Sequence, residues 1–336
     1  MTKPLSVKSL LCVLVTCCFF ASVFSAYASF NHSNNTIDTF ITNEQSVFNG
    51  TQKGYVNVGK GNVTFIHRDL VTGGNFPILM SRVYDSSLGN SSDFGLGWQL
   101  SLSESIVPSK KGALEYRDGC ATVHRLKPAN VGFSVDPFEN GDISSVTLNA
   151  HGVMQLDYLD GKQKQFKKFG DKYLLVSVLD QYSNHIELSY DNHRLSKVSG
   201  NHGQSIHIKR DQKGRITLVT DNNNRSVTYH YSQQGLLDTV DDLGGFSWHY
   251  QYHGNGLLHK VVDPSGQRAA MFRFNKDNRA STVKIGNLKH SYRYQGETTL
   301  VKDAKGKTTT FIQNANGITT TVTHTKGFVS RIVLNK

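Results

Sequence analysis

Apolar and polar positions alternate with period two through most of the chain beyond Leu179, and the alternating stretches themselves recur. The clearest is Phe246-Ser-Trp-His-Tyr-Gln-Tyr252. Its spacing predicts Phe246, Trp248, Tyr250 and Tyr252 on one face of a strand and Ser247, His249 and Gln251 on the other. An aromatic residue, or a stand-in for one, closes the first strand of each unit at Tyr190, Arg210, Tyr231, Tyr252, Phe274, Tyr294 and Gln313. A valine runs in phase at Val198, Val219, Val240, Val261 and Val283. Both markers advance by 19 to 22 residues per step. A unit of that length cannot bury its own apolar face, so a fixed period predicts neighbouring units stacked into one continuous core.

Each unit reads as two short strands and two turns. Gly214, Gly235 and Gly256 sit where one turn needs a positive φ, and Asp-x-x-Gly at Asp242–Gly245 and Asp303–Gly306 marks the other. The predicted fold is all-β: antiparallel hairpins added side by side into an open, curved spiral sheet. Tyr190, Tyr231, Tyr252, Phe274 and Tyr294, with Val198, Val240, Val261 and Val283, are the expected structural ladder of its buried face. The last copies, with Thr308-Thr-Thr310 and Thr319-Thr-Thr321, hold few large apolar residues. The final strand is expected to leave an unpaired edge.

Tyr190-Asp191-x-x-Arg194-Leu195-x-x-Val198 resembles the YD repeat of the RHS family, which includes bacterial RHS toxins, insecticidal toxin complexes and teneurins. About seven copies run from Leu179 to Val322. Upstream, Gly61-Asn-Val63, Asp69-Leu70, Gly74-x-x-Pro77-Ile78, Arg82-x-Tyr84 and Gly95-x-Gly97-Trp98 resemble the domain that precedes the repeats in that family. The resemblance implies a partial β-shell and a division into residues 56–178, an RHS-type N-terminal β domain, and 179–336, the repeat array. It implies a scaffold, either part of a toxin-encapsulating β-shell or its truncated or orphan remnant, with a further shell chain or toxin fragment as partner. The alternative it leaves open is a stand-alone surface module for adhesion or glycan binding. Asp263-Pro-Ser-Gly266 has the letters of the family's self-cleaving stretch but stands in a regular turn position, so a turn is expected there.

The N-terminus changes the picture of where the chain works. Lys3 and Lys8 precede an apolar run from Leu10 to Phe24 and then Ala26-Tyr27-Ala28, the order of an export signal cleaved after Ala28. A membrane anchor needs about 20 apolar residues, more than this run supplies. Residues 1–28 are therefore expected to be removed, and 29–55 to form a linker. The destination is secretion, the cell surface or the periplasm. Cys12, Cys17 and Cys18 lie in the signal, and Cys120 is left without a disulfide partner.

The formal net charge is +11. Lysines and arginines scattered over polar strand faces keep a sheet soluble and blunt its edges. The sharper reading is a surface for anionic glycans. Nucleic acid is not expected, since no reader module appears. Fourteen histidines invite a metal site, but His249 and His253 stand four strand residues apart, about 13 Å, too far to share an ion. No nucleophile elbow or phosphate loop is present. The acid pairs Asp241-Asp242 and Glu115/Asp118 fall at hairpin corners. No catalytic residue, cofactor or metal is expected.

Overall fold

The computed structural model describes residues 38–40, 52–91, 93–135, 143–314, 319–324 and 329–331. The expected signal segment lies outside the described residues. Strands dominate, and the helix among the described residues is one 3-10 turn, Lys110–Gly112.

An inner sheet comes first. Asp38–Phe40, Gln52–Asn57, Val63–Val71, Leu79–Asp85 and Trp98–Leu100 form it in that order, all antiparallel. The expected linker 29–55 thus contributes one strand and the start of another. A small hairpin, Asn90–Ser91 with Gly95–Leu96, projects beside it.

A closed ring follows. Ser105–Pro108, Leu114–Arg117, Val123–Pro128, Phe133–Val135, Ile143–Leu148, Met154–Tyr158, Gln163–Phe169 and Lys172–Leu179 pair in sequence. The last returns to the first through Tyr173↔Ile106 and Leu174↔Ser105. The same edge of Lys172–Leu179 then switches partner, and Val178↔Ile186 and Leu179↔His185 begin the repeat sheet. Hairpin alternation specifies neighbours only, so it carries no signal for this closure; the open sheet is expected of the repeat array, 179–336. Openness holds from His185 onward. There each strand pairs with its chain neighbours through to Val329–Arg331.

This open array, the wall, turns its apolar face to the inner sheet. Val198, Val219, Val240, Val261 and Val283 are buried to 1% or less. The aromatics Tyr190, Tyr231, Tyr252, Phe274 and Tyr294 pack partly buried against the same core. Phe246 departs from its predicted face and is 62% exposed. Its amide is drawn into the preceding turn by Asp242 Oδ1 at 3.0 Å, so the strand begins one residue later, at Ser247. Cys120 is buried.

Candidate functional site

The side chains with periodic, cooperative roles lie on the seam between wall and inner sheet. They follow from an irregularity in each hairpin. Six times the register slips just after the turn, with Tyr190↔Leu195, Arg210↔Ile216, Tyr231↔Leu237, Tyr252↔Leu258, Phe274↔Ala280 and Gln313↔Thr319 each followed by one extra residue on the second strand. Such bulges disrupt the ladder locally and turn backbone groups aside, and buried backbone groups need partners.

The carbonyls of Leu195, Ile216 and Leu237 at these bulges, and that of Leu175 before them, are met from the next repeat. Tyr190 Oη donates to Leu175 O at 2.6 Å, Tyr231 Oη to Ile216 O at 2.5 Å and Tyr252 Oη to Leu237 O at 2.7 Å, always 15 residues back. Arg210, the stand-in, reaches Leu195 O over the same 15 residues, with Nη2 at 3.3 Å. The arginine of the motif stacks forward, Arg215 at 4.1 Å over Tyr231 and Arg279 at 3.6 Å over Tyr294. Arg215 also pairs with Asp211 at 2.6 Å. Hence the Tyr-Asp-x-x-Arg-Leu pattern is a set of contacts between units as well as within them.

Three of the six bulge amides are met by the inner sheet and its hairpin. Ile216 N donates to Asp93 O at 2.7 Å, Leu258 N to Tyr84 Oη at 2.9 Å and Ala280 N to Gly61 O at 2.8 Å. Further ties join Gln204 to Phe76 O, Arg210 to Asp93, Trp98 to Tyr252 Oη, Arg279 to Gly59 O and Thr299 to Val58 O. The inner sheet therefore reaches the wall from Gln204 to Thr299.

At the centre of the seam lies a buried charge. Arg82 and Asp69, 1% and 2% exposed, form a two-pronged ion pair at 2.8 Å. Tyr229 Oη donates to Asp69 at 2.8 Å, and the guanidinium lies 5.1 Å from the Tyr250 ring centroid. Burial opposes the Arg82 charge, but Asp69 outweighs it and holds the pKa above the ordinary value. His67 Nδ1 meets Tyr250 Oη at 2.9 Å. Burial first, and then the Arg82 charge, push His67 well below its usual pKa.

The ring holds a second polar network. Lys164 Nζ donates to both Glu104 oxygens, at 2.8 and 2.9 Å, and Tyr116 Oη donates to Glu104 at 2.5 Å. Every donor here is committed to an acceptor in the fold, which is the arrangement of a structural core.

The remaining candidates resolve into turns. Asp263 Oδ1 accepts from Ser265 N at 3.0 Å and Gln267 N at 2.8 Å, and Asp242 does the same for Gly244 and Phe246. Asp118 accepts from Cys120 N and Thr122 N. His249 faces Thr239, while His253 bonds Phe272 O at 3.1 Å. Among the described residues no group of three or more His, Cys, Asp or Glu could hold a metal ion. Tyr84, Asp93 and the Asp69–Arg82 pair were not singled out as functional from sequence, although most of them lie in the upstream motifs quoted above.

Comparison with known proteins adds two family matches. The Teneurin YD-shell profile covers residues 154–333. A domain of unknown function, DUF6531, covers residues 53–126. No curated protein matches the chain. Similar solved structures include TcdB2-TccC3-TEV, at 9% identity and TM-score 0.26, covering 79% of this chain and 19% of that one. TcdB2-TccC3 gives 9%, 0.23, 79% and 19% on the same measures. TcdB2-TccC3 without its hypervariable C-terminal region gives 10%, 0.26, 83% and 20%. The chain spans about a fifth of the length of these structures.

Proposed function

The chain belongs to the teneurin YD-shell family, and on that premise we propose that it forms the capped end of an exported, toxin-encapsulating β-shell. The role is structural and not catalytic. The observation that carries the reading is the hanging of three wall strands on an internal sheet, through Ile216 to Asp93, Leu258 to Tyr84 and Ala280 to Gly61. A wall held from inside at three of its bulges has its curvature set by that sheet. In this reading residues 56–178 close the end and 179–336 are wall. The ring closes behind Tyr173↔Ile106, and among the described residues Val329–Arg331, at the far side of the sheet, pairs on one side only. Edges recruit further strands, so the partner is a further shell chain or toxin fragment.

Co-expression with the product of the reading frame that follows this one tests the assembly. A stoichiometric complex, with hydrogen exchange slowed in Val329–Arg331, is expected. Two chains that stay separate at micromolar concentration, with exchange unchanged, would overturn it. N-terminal sequencing of exported protein tests the signal: Ser29 is the expected first residue, and a mature chain that keeps Leu10 to Phe24 rules out cleavage.

A further inference from the structure

The unit of the wall that contains Tyr252 departs from its neighbours at two positions, and the two departures meet. The residue after the strand-closing position is Asp211, Ser232 or Asn275 in nearby units. Its side-chain oxygen closes its own turn, accepting from Arg215 N at 2.9 Å, Leu236 N at 3.3 Å and Arg279 N at 2.9 Å. His253 stands at that place and offers no oxygen. Its turn is closed by backbone, with His253 N donating to Leu257 O at 2.8 Å and Gly256 N to His253 O at 2.9 Å. The imidazole is thereby released from the turn. The second position follows the buried Leu195, Ile216 or Leu258. Ser196 and Thr217 there bond back to the preceding strand, at Ser189 O and Lys209 O. His259 takes the same place and reaches the following strand instead.

Both rings converge on one atom. His253 Nε2 lies 3.1 Å and His259 Nδ1 3.3 Å from the carbonyl oxygen of Phe272, and the ring centroids are 4.3 Å apart. Both histidines are half-buried, so solvent reaches them. Phe274 packs edge-on against His253, with centroids 6.0 Å apart. The two nitrogen-to-oxygen separations are close to the edge of a zinc tetrahedron, about 3.3–3.4 Å for bonds of about 2.0–2.1 Å. A turn of about 35° at each imidazole moves its nitrogen's axis from the Phe272 oxygen to the centre of such a tetrahedron, within the broad χ2 range of histidine. The present hydrogen bonds use the N–H of each ring. In the metal-bound state each neutral ring carries that proton on its other nitrogen, His253 Nδ1 and His259 Nε2, and no net proton is released. Two histidines are fewer than the three protein ligands of an open zinc site, and the backbone oxygen makes up the third.

We propose that His253 Nε2, His259 Nδ1 and the Phe272 carbonyl oxygen bind a zinc ion, with water in the fourth position. Imidazole nitrogen selects such a borderline-soft ion over magnesium and calcium, which take oxygen ligands. The inference does not depend on the encapsulation reading. The test titrates zinc into the full chain, first stripped of metal by a chelator, in competition with a chromophoric zinc indicator. His253→Asn and His259→Ser introduce the residue types that neighbouring units carry at these places, at Asn275 and Ser281. Each variant is therefore expected to fold and to melt with the metal-free parent. The parent should bind one zinc per chain with micromolar affinity, and each variant should weaken binding at least tenfold. His207→Asn, at an exposed wall histidine outside the cluster, should weaken it less than twofold. Cobalt in place of zinc should give the visible absorption of a four-coordinate site in the parent and in neither cluster variant. If one variant melts well below the parent, the other variant and the cobalt spectrum decide. A parent with no saturable zinc binding at micromolar concentration, an affinity that neither cluster variant lowers, or one that His207→Asn lowers equally would each overturn the proposal.

Discussion

The backbone amide of Leu258 donates to the hydroxyl of Tyr84, 2.9 Å away and 174 residues earlier in the chain. Tyr84 is 1% exposed, so no bulk water can replace it as acceptor. Tyr84→Phe leaves that buried amide unmet, and the expected loss is about 1–3 kcal/mol. Urea unfolding followed by tryptophan fluorescence measures it. Trp98 reports on the inner sheet and Trp248 on the wall, so a single transition is expected with both. Two separated transitions would show that the sheets fold as independent units.

Tyr231 and Tyr294 occupy equivalent places but differ at the hydroxyl. Tyr231 Oη donates to Ile216 O, whereas Tyr294 Oη has no partner among the described residues. Tyr231→Phe should therefore destabilise by about 1 kcal/mol, and Tyr294→Phe should be neutral or stabilising. Equal melting shifts for the two variants would contradict the carbonyl-capping role of the repeat tyrosine.

The period, the strand faces and the turns were legible because they depend on local rules: alternation, and glycine or aspartate at fixed offsets. Gly214, Gly235 and Gly256 do take φ near +80. The ring closure at Tyr173↔Ile106 was not legible, because pairing between strands some 70 residues apart leaves no mark in either strand. Phe246 misled because its apolarity matches the strand while its amide belongs to the Asp242 turn. The seam was half legible. Its residues stand in recognisable upstream motifs, but an aromatic at the end of a strand looks like core, and only the bulge explains why its hydroxyl is needed. Arg210 seemed a lapse in the pattern, yet it serves the same carbonyl with a longer donor.

The Asp69–Arg82 pair is too deeply buried for either charge to stand alone. Arg82→Met or Asp69→Asn by itself should cost about 3–5 kcal/mol, since each strands its partner's charge or hydrogen-bonding groups in the core. Arg82→Met combined with Asp69→Leu should cost less than either alone. Chemical denaturation of the three variants checks this, and losses that simply add would count against a coupled pair.

His67 makes the seam sensitive to acid. Its folded pKa lies well below the usual 6.5, so the unfolded chain takes up a proton there before the folded one does. Stability is therefore full above about pH 6.5 and falls as pH drops towards the folded pKa, by at most about 1.4 kcal/mol per pH unit for this one group. His67→Gln should flatten the slope between pH 6.5 and 5. His290, lowered by burial in the same sense, would supply a residual slope. A variant whose profile still matches the parent would remove His67 as the sensor.

Gly95 tests how closely the inner hairpin must approach the wall. Its φ is +87, and a Cβ placed on it would lie 2.7 Å from the carbonyl oxygen of Gly235. That oxygen belongs to the backbone of a wall turn, where Gly235 itself has φ +85 and bonds Ser232 O, so it cannot swing aside as a side chain could. Leu96, next in sequence, lies so close over Gly256 that a Cβ there would meet it at 2.6 Å. Gly266 provides the control, with φ +81 and nothing within 4 Å of an added Cβ. Gly266→Ala should cost only the left-handed backbone term, about 1–2 kcal/mol. Gly95→Ala carries that term plus the separation of hairpin from wall, which also disturbs Asp93 and its bonds to Arg210 and Ile216. Its expected loss exceeds the control by at least about 2 kcal/mol, in the range of strained or overpacked core substitutions. Urea midpoints of the two variants give the difference directly, and equal losses would mean that the hairpin can lift away from the wall without consequence.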